Sequence, residues 1–141
     1  MAEQLVLFIC VENSCRSLMA EAMFNADRPD GWRATSAGTR PGRGANPRTG
    51  PMLRELGLSL PSHAPQALTT GLMETARIRV TMGCLDDASC PARLKSLELR
   101  DWGLPDPGRL DDDGFRGVRD QLAARVAALK RELTSAATPK P

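Results

Sequence analysis

Gln4-Leu5-Val6-Leu7-Phe8-Ile9-Cys10-Val11-Glu12-Asn13-Ser14-Cys15-Arg16-Ser17 is the stretch from which the rest of the chain is read. Up to Cys10 it is a short, unbroken apolar run rather than an alternating one, the pattern of a strand buried on both faces of a parallel sheet. From Ser17 the sequence Leu18-Met19-Ala20-Glu21-Ala22-Met23-Phe24-Asn25-Ala26 is rich in helix formers, with Ser17 placed to cap its start. A strand, a tight loop and a helix are therefore expected in that order. Such a loop turns consecutive backbone N–H groups inward, and the helix N-terminus adds positive potential, so it favours a tetrahedral oxyanion. The binding set is then Val11, Glu12, Asn13, Ser14, Cys15, Arg16 and Ser17.

Each side chain in the loop has a chemical reading. Asn13 tolerates the left-handed backbone that a concave turn needs. Arg16, in the first turn of the helix, can bind two anion oxygens through its planar fork. The same positive potential favours the thiolate of Cys10 and makes it the candidate nucleophile, with Ser17 placed to hydrogen-bond the sulfur. Cys15 reads as a small packing residue rather than a second reactive thiol. The loop lacks the lysine of a nucleotide phosphate loop, and Glu12 adds charge that opposes a polyphosphate. Cys and Arg at this spacing prove little alone; the buried strand before them and the helix after them carry the weight.

Working outward, residues 32–37 read as a second strand ending at Gly38, followed by a Gly- and Pro-rich loop over residues 39–47 that is expected to be mobile or draped over the surface. Residues 47–57 predict a helix with proline in its first turns and a glycine stop. Residues 78–82 predict a third strand and residues 97–102 a fourth, at an edge. From Phe115, Val118, Leu122, Val126, Leu129 and Leu133 recur at helical spacing, with Asp111, Asp112 and Asp113 suited to the helix start. Residues 134–141 are Ala-, Thr- and Pro-rich and are expected to form a disordered tail after a single domain over residues 1–133. The fold class is α/β, a single-domain, four-stranded parallel open sheet flanked by helices, whose ligands bind beyond the carboxyl ends of the strands.

The length of 141 residues suits one domain. The net charge of +2, from 19 Lys+Arg and 17 Asp+Glu, includes no basic run fit for nucleic acid. No apolar run spans a membrane and no export signal is evident, so a cytoplasmic monomer is expected. In that compartment four cysteines point to catalysis, redox sensing or metal binding rather than to structural disulfides. Zinc fits poorly, because Cys10 and Cys15, like Cys84 and Cys90, lie further apart than usual zinc pairs. No resident metal or tightly bound cofactor is expected.

Cys84 follows the third strand and so emerges on the same rim as Cys10. If residues 84–90 were helical, the Cα atoms of Cys84 and Cys90 would stand about 9 Å apart along the axis. A disulfide spans roughly 4.4 to 6.8 Å, so pairing them requires the segment to loop out. Gly83, Asp86, Asp87, Ala88 and Ser89 suit such a rearrangement. Asp106 is held between Pro105 and Pro107 in the loop after the last strand, where a carboxyl can donate a proton.

The C-x5-R-S pattern from Cys10 to Ser17 resembles the active-site loop of the low-molecular-weight protein tyrosine phosphatase superfamily, which includes arsenate reductases. Asn13-Ser14-Cys15-Arg16-Ser17 with Met19-Ala20-Glu21-Ala22 is especially similar to the reductases. The resemblance extends through Thr35-Ser36-Ala37-Gly38-Thr39, Val80-Thr81-Met82-Gly83-Cys84, Cys90-Pro91 and Asp101-Trp102-Gly103-Leu104-Pro105-Asp106-Pro107. It implies that Cys10 attacks arsenate, Asp106 protonates the departing oxygen, Cys84 attacks Cys10 as arsenite leaves, and Cys90 then takes over the disulfide. The implied reductant is thioredoxin or a low-molecular-weight thiol with a glutaredoxin-like system. The five residues between Cys84 and Cys90, and Met82-Gly83-Cys84, depart from the thioredoxin-type pattern toward members coupled to small thiols.

Phosphate and sulfate would compete with arsenate, and a phosphatase acting through a Cys10 phosphocysteine is the alternative activity. Phosphatases of the superfamily carry aromatic residues beside the acid. Gly108 and Arg109 stand there in this chain, which has no tyrosine, and that favours reduction. Glu12 departs from the small residue or glycine of many members. Some reductases also hold a potassium ion; Asn13 and Glu21 match that pattern, but Ala64 and Gln66 do not, so the ion is not expected. His63, the one histidine, reads as structural.

Overall fold

In the computed structural model, which describes residues 3–82 and 99–137, the apolar run of the sequence becomes the central strand β1 (Gln4–Cys10). Alternation along β1 divides the interior in two. Val6, Phe8 and Cys10 face one core with Met19, Phe24, Trp102 and the last helix; Leu5, Leu7 and Ile9 face a second with Ala37, Met73 and Ala76. Two buried faces explain why the strand carries no polar alternation. β1 is flanked by β2 (Trp32–Gly38) on one side and β3 (Ile78–Thr81) on the other, and β4 (Arg100–Asp101) closes the edge. The order β2-β1-β3-β4 is parallel throughout, as expected from the sequence.

Helix α1 (Arg16–Asn25) begins one residue earlier than Ser17, with Cys15 at its cap position and no side-chain cap bond. Ser17 lies inside the helix, its hydroxyl engaged by Cys10 instead. Helix α2 (Thr49–Arg54) is shorter than the expected 47–57. Its end tightens into turns, where Leu56 N donates to Leu53 O and Gly57 N to Arg54 O, and the stop at Gly57 has φ +77°. Helix α3 (Thr70–Thr75), capped by Thr69 through Leu72 N, has no counterpart in the sequence expectations. Its single buried residue, Met73, is too little for a periodic signal.

Of the predicted fourth strand, residues 97–98 lie outside the described residues and only Arg100–Asp101 pair with β3. The last helix, α4 (Asp112–Ala137), starts before Phe115 because Asp111 Oδ1 accepts from Gly114 N at 2.8 Å. It runs on to Ala137, past the Thr134 at which the tail was expected to begin. Its periodic residues Phe115, Val118, Leu122, Val126, Leu129 and Leu133 are all buried.

Phe8 is the packing centre, with its ring 6.3 Å from Phe24 edge-on and 5.6 Å from Trp102. It joins β1, α1 and the segment after β4. Phe8→Ala is expected to cost about 3–5 kcal/mol of unfolding free energy, measured by urea denaturation; a loss below about 1 kcal/mol would show that the core refills the space.

Candidate active site

Residues 11–15 join β1 to α1 on the carboxyl rim of the sheet. Their backbone is captured from outside by the segment that follows β2. Thr39 N donates to Cys10 O (3.2 Å), Arg40 N to Val11 O (2.8 Å) and Gly42 N to Glu12 O (2.9 Å). Ser14 O accepts from Asn46 N at 3.0 Å and from Thr49 Oγ1 at 2.8 Å. In a trans peptide the carbonyl and the following N–H point opposite ways, so outward carbonyls leave inward N–H groups. The Gly- and Pro-rich loop, expected to be mobile or draped, is thus a brace that shapes the anion cradle. Gly38 permits the close approach, since a Cβ there would lie 2.5 Å from Val11 O and 3.0 Å from Asn13 N.

Asn13 has φ +53°, the left-handed conformation anticipated for it. Its N–H donates to Cys10 Sγ at 3.2 Å, and Ser17 Oγ lies 2.8 Å from the same sulfur. Asn13 Oδ1 accepts from Gln66 N, which fixes the amide so that Nδ2 donates to Ser17 Oγ at 2.7 Å. That leaves the Ser17 proton free to point at sulfur, and two donors then converge on the Cys10 sulfur.

Arg16 is buried, and its Nη1 donates to Leu104 O at 2.8 Å and to Met82 O at 3.3 Å. The guanidinium is thereby tied to the segments after β3 and β4 while it lines the same cavity as Cys10. Asp106 lines that cavity as well. Its Oδ1 accepts from Gly108 N at 2.9 Å, and its Oδ2 stands 4.0 Å from Arg109 Nε. The cavity, of about 700 Å³, is also lined by Val11, Glu12, Ser14, Cys15, Arg40, Asn46, Gly108 and Arg109. Burial pushes the Cys15 thiol up, against hydrogen bonds to Thr49 and Ser14 that pull it down. A protonated thiol packed in the core agrees with a packing role. Cys84 and Cys90 lie outside the described residues.

Behind the loop lies a second tier of polar groups that no local sequence signal marks as part of the site. Gln66, noted in the sequence only as departing from an ion-binding pattern, is the hinge of this tier: its Nε2 donates to Ser36 O at 2.7 Å and to Thr35 Oγ1 at 3.2 Å. Ser36 Oγ donates to Glu21 Oε1 at 2.7 Å, and His63 Nε2 meets the same oxygen at 2.7 Å. Residues from α1, β2 and the segment before α3 thus buttress Asn13. They are far apart in sequence, and no local motif joins them. Burial lowers the His63 pKa, but the Ala64 carbonyl and the Glu21 carboxylate outweigh it, and the net direction is up.

This arrangement of a cysteine at a strand end, an oxyanion cradle and an arginine on an α/β sheet is that of a cysteine-dependent oxyanion enzyme. Residues 5–138 match the low molecular weight phosphotyrosine protein phosphatase family, and the chain belongs to it. The chain is 32% identical over 126 residues to arsenate reductase 1 of Staphylococcus epidermidis, covering 89% of this chain and 95% of that protein. Among solved structures, an arsenate reductase in the phosphate-binding state superposes with a TM-score of 0.79 at 27% identity, over 92% of this chain and 98% of the other. A thioredoxin-dependent arsenate reductase from Corynebacterium glutamicum gives a TM-score of 0.78 at 26% identity, over 96% of this chain and 64% of that one.

Two outcomes are expected of the site. Gly38→Ala forces its Cβ against the backbone at Val11 and Asn13 and is expected to lower turnover by about 10²-fold; unchanged turnover and sulfate affinity by calorimetry would contradict the close-approach argument. Because the His63 pKa is raised by folding, its pairing with Glu21 contributes fully below the unfolded value near 6.5 and fades as pH rises through the folded value. The gap in melting temperature between wild type and His63→Gln should therefore be wider at pH 6 than at pH 9; a gap independent of pH would count against the ion pair.

Proposed function

We propose that the chain reduces arsenate to arsenite through Cys10, for arsenic detoxification, drawing electrons from thioredoxin or a low-molecular-weight thiol. The observation that carries the proposal is the Cys10 sulfur, held by Asn13 N and Ser17 Oγ on the floor of an oxyanion cradle, in a chain similar to arsenate reductases along most of its length. Arsenate, a tetrahedral oxyanion, matches inward N–H groups and the Arg16 guanidinium. The Cys10 thiolate attacks arsenic while Asp106 gives a proton to the departing oxygen, leaving a Cys10–arsenic bond.

Reduction then needs an electron pair. Attack by the Cys84 thiolate on Cys10 Sγ forms an S–S bond and leaves the S–As pair on arsenic, which departs as arsenite. Attack by Cys90 on Cys84 returns Cys10 as a thiolate and places the disulfide between Cys84 and Cys90, for an external thiol to reduce. This relay is supported by the resemblance of Val80-Thr81-Met82-Gly83-Cys84 and Cys90-Pro91 to the reductases.

Phosphatase action is the second reading, favoured by the family itself and by Cys10, Arg16 and Asp106, which would serve a phosphomonoester equally well. Against it stands the rim beside the acid. Gly108 and exposed Arg109 offer no ring to clasp a phenol, and the chain has no tyrosine.

Arsenite release by wild type, Cys84→Ser and Cys90→Ser, each supplied with thioredoxin or with a small thiol, separates these possibilities when run beside aryl phosphate hydrolysis. Cys84→Ser is expected to lose arsenite release with both donors, and Cys90→Ser to lose it with thioredoxin. Normal reduction by both variants with every donor would discard the relay, and efficient aryl phosphate turnover without arsenite release would favour the phosphatase.

A further inference from the structure

Arg48 stands outside the catalytic set, yet its side chain spans the gap between the two halves of the site. At its base, Arg48 N donates to Asn46 Oδ1 at 3.0 Å, while the neighbouring Asn46 N and Thr49 Oγ1 hold Ser14 O of the anion loop. At its tip, Nη1 donates to Leu110 O at 2.8 Å and to Asp112 Oδ1 at 3.3 Å, and Nη2 donates to Gly108 O at 3.2 Å and Pro107 O at 3.3 Å. The guanidinium also lies 4.8 Å from the centroid of the buried Phe115 ring. The three backbone acceptors belong to the short turn Pro107–Arg109 and its exit, whose cap residue is Asp106, and Asp112 begins α4. The two segments pack closely, since a Cβ on Gly108 would lie 3.3 Å from Asn46 Nδ2.

We infer that Arg48 is a positioning residue for Asp106: it ties the acid turn to the brace of the anion loop and so sets where the carboxyl stands relative to Cys10. The inference rests on the assignment of Asp106 as the proton donor. Among the described residues, the side chain of Asp106 is held by local contacts, its bond to Gly108 N and Arg109 Nε at 4.0 Å, on a backbone stiffened by flanking prolines. Contacts within one turn do not set where that turn stands relative to the anion loop across the cavity that both line. A planar fork with five donors can serve carbonyls on successive residues and still stack on an aromatic face; a lysine ammonium keeps the charge near Phe115 but cannot span the same carbonyls.

The test is a double-mutant cycle on Arg48→Met and Asp106→Asn, read as the rate and half-saturating arsenate concentration of single-turnover arsenite release in excess dithiothreitol. Asp106→Asn is expected to slow release by about 10²-fold or more. Arg48→Met should slow it about tenfold or more in the wild-type background, with half-saturation little changed, and should slow it no further in the Asp106→Asn background. Arg48→Lys should recover melting temperature without recovering the rate. Equal slowing by Arg48→Met in both backgrounds, or recovery of rate together with melting temperature in Arg48→Lys, would overturn the inference. A wild-type rate in Asp106→Asn is a different result, which removes the proton-donor assignment and the inference with it.

Discussion

The geometry of this molecule depends on where the carbonyls of the Cys10 to Ser14 backbone go. Each peptide unit in a loop must place a donor and an acceptor, and an anion can use only the donors. Capture of the acceptors by Thr39, Arg40, Gly42, Asn46 and Thr49 from outside turns the donors toward the loop centre. Gly38 makes this possible by letting two backbones approach without a Cβ between them. The anion site is therefore a product of two segments, the loop and its brace, rather than of the signature sequence alone.

Behind the loop, polar side chains carry the constraint into the fold. Asn13 in the left-handed region would relax if its amide were free, but Ser17 and Gln66 hold both ends. Gln66 is in turn bound to β2, and Ser36 and His63 converge on Glu21 of α1. Buried networks of this kind stabilise when every member is paired, and the cost of removing one member exceeds the worth of its own bond. Glu21 Oε1, which matched an ion-binding pattern in the sequence, already accepts from Ser36 and meets His63.

The same logic is applied with arginines. Arg16 and Arg48 each donate to backbone carbonyls of segments distant in sequence, Arg16 to Met82 and Leu104 and Arg48 to the Pro107 turn. A guanidinium can satisfy several acceptors in one plane, so these two residues draw the strand-end segments around one cavity. The cradle itself suits either arsenate or a phosphomonoester, so it does not by itself choose between reduction and hydrolysis.

Local physics made β1, the α1 helix, the left-handed Asn13, the place of Cys10 at the strand end and the amphipathic stripe of α4 legible from the sequence. An unbroken apolar run, a helical period and a turn-tolerant asparagine each act over a few residues. The same locality explains the errors. The segment over residues 39–47 has a loop's composition, and only its partners in residues 10–14 make it a brace; Ser17 looked like a cap because capping is the local use of a serine before a helix. Gln66, His63 and Arg48 acquire their roles from partners up to 64 residues away. Sequence alone determined one strand–loop–helix unit and the residue types it carries; tertiary structure decided which distant backbones and side chains hold that unit in shape, because buried donors and acceptors find partners by proximity in space and not along the chain.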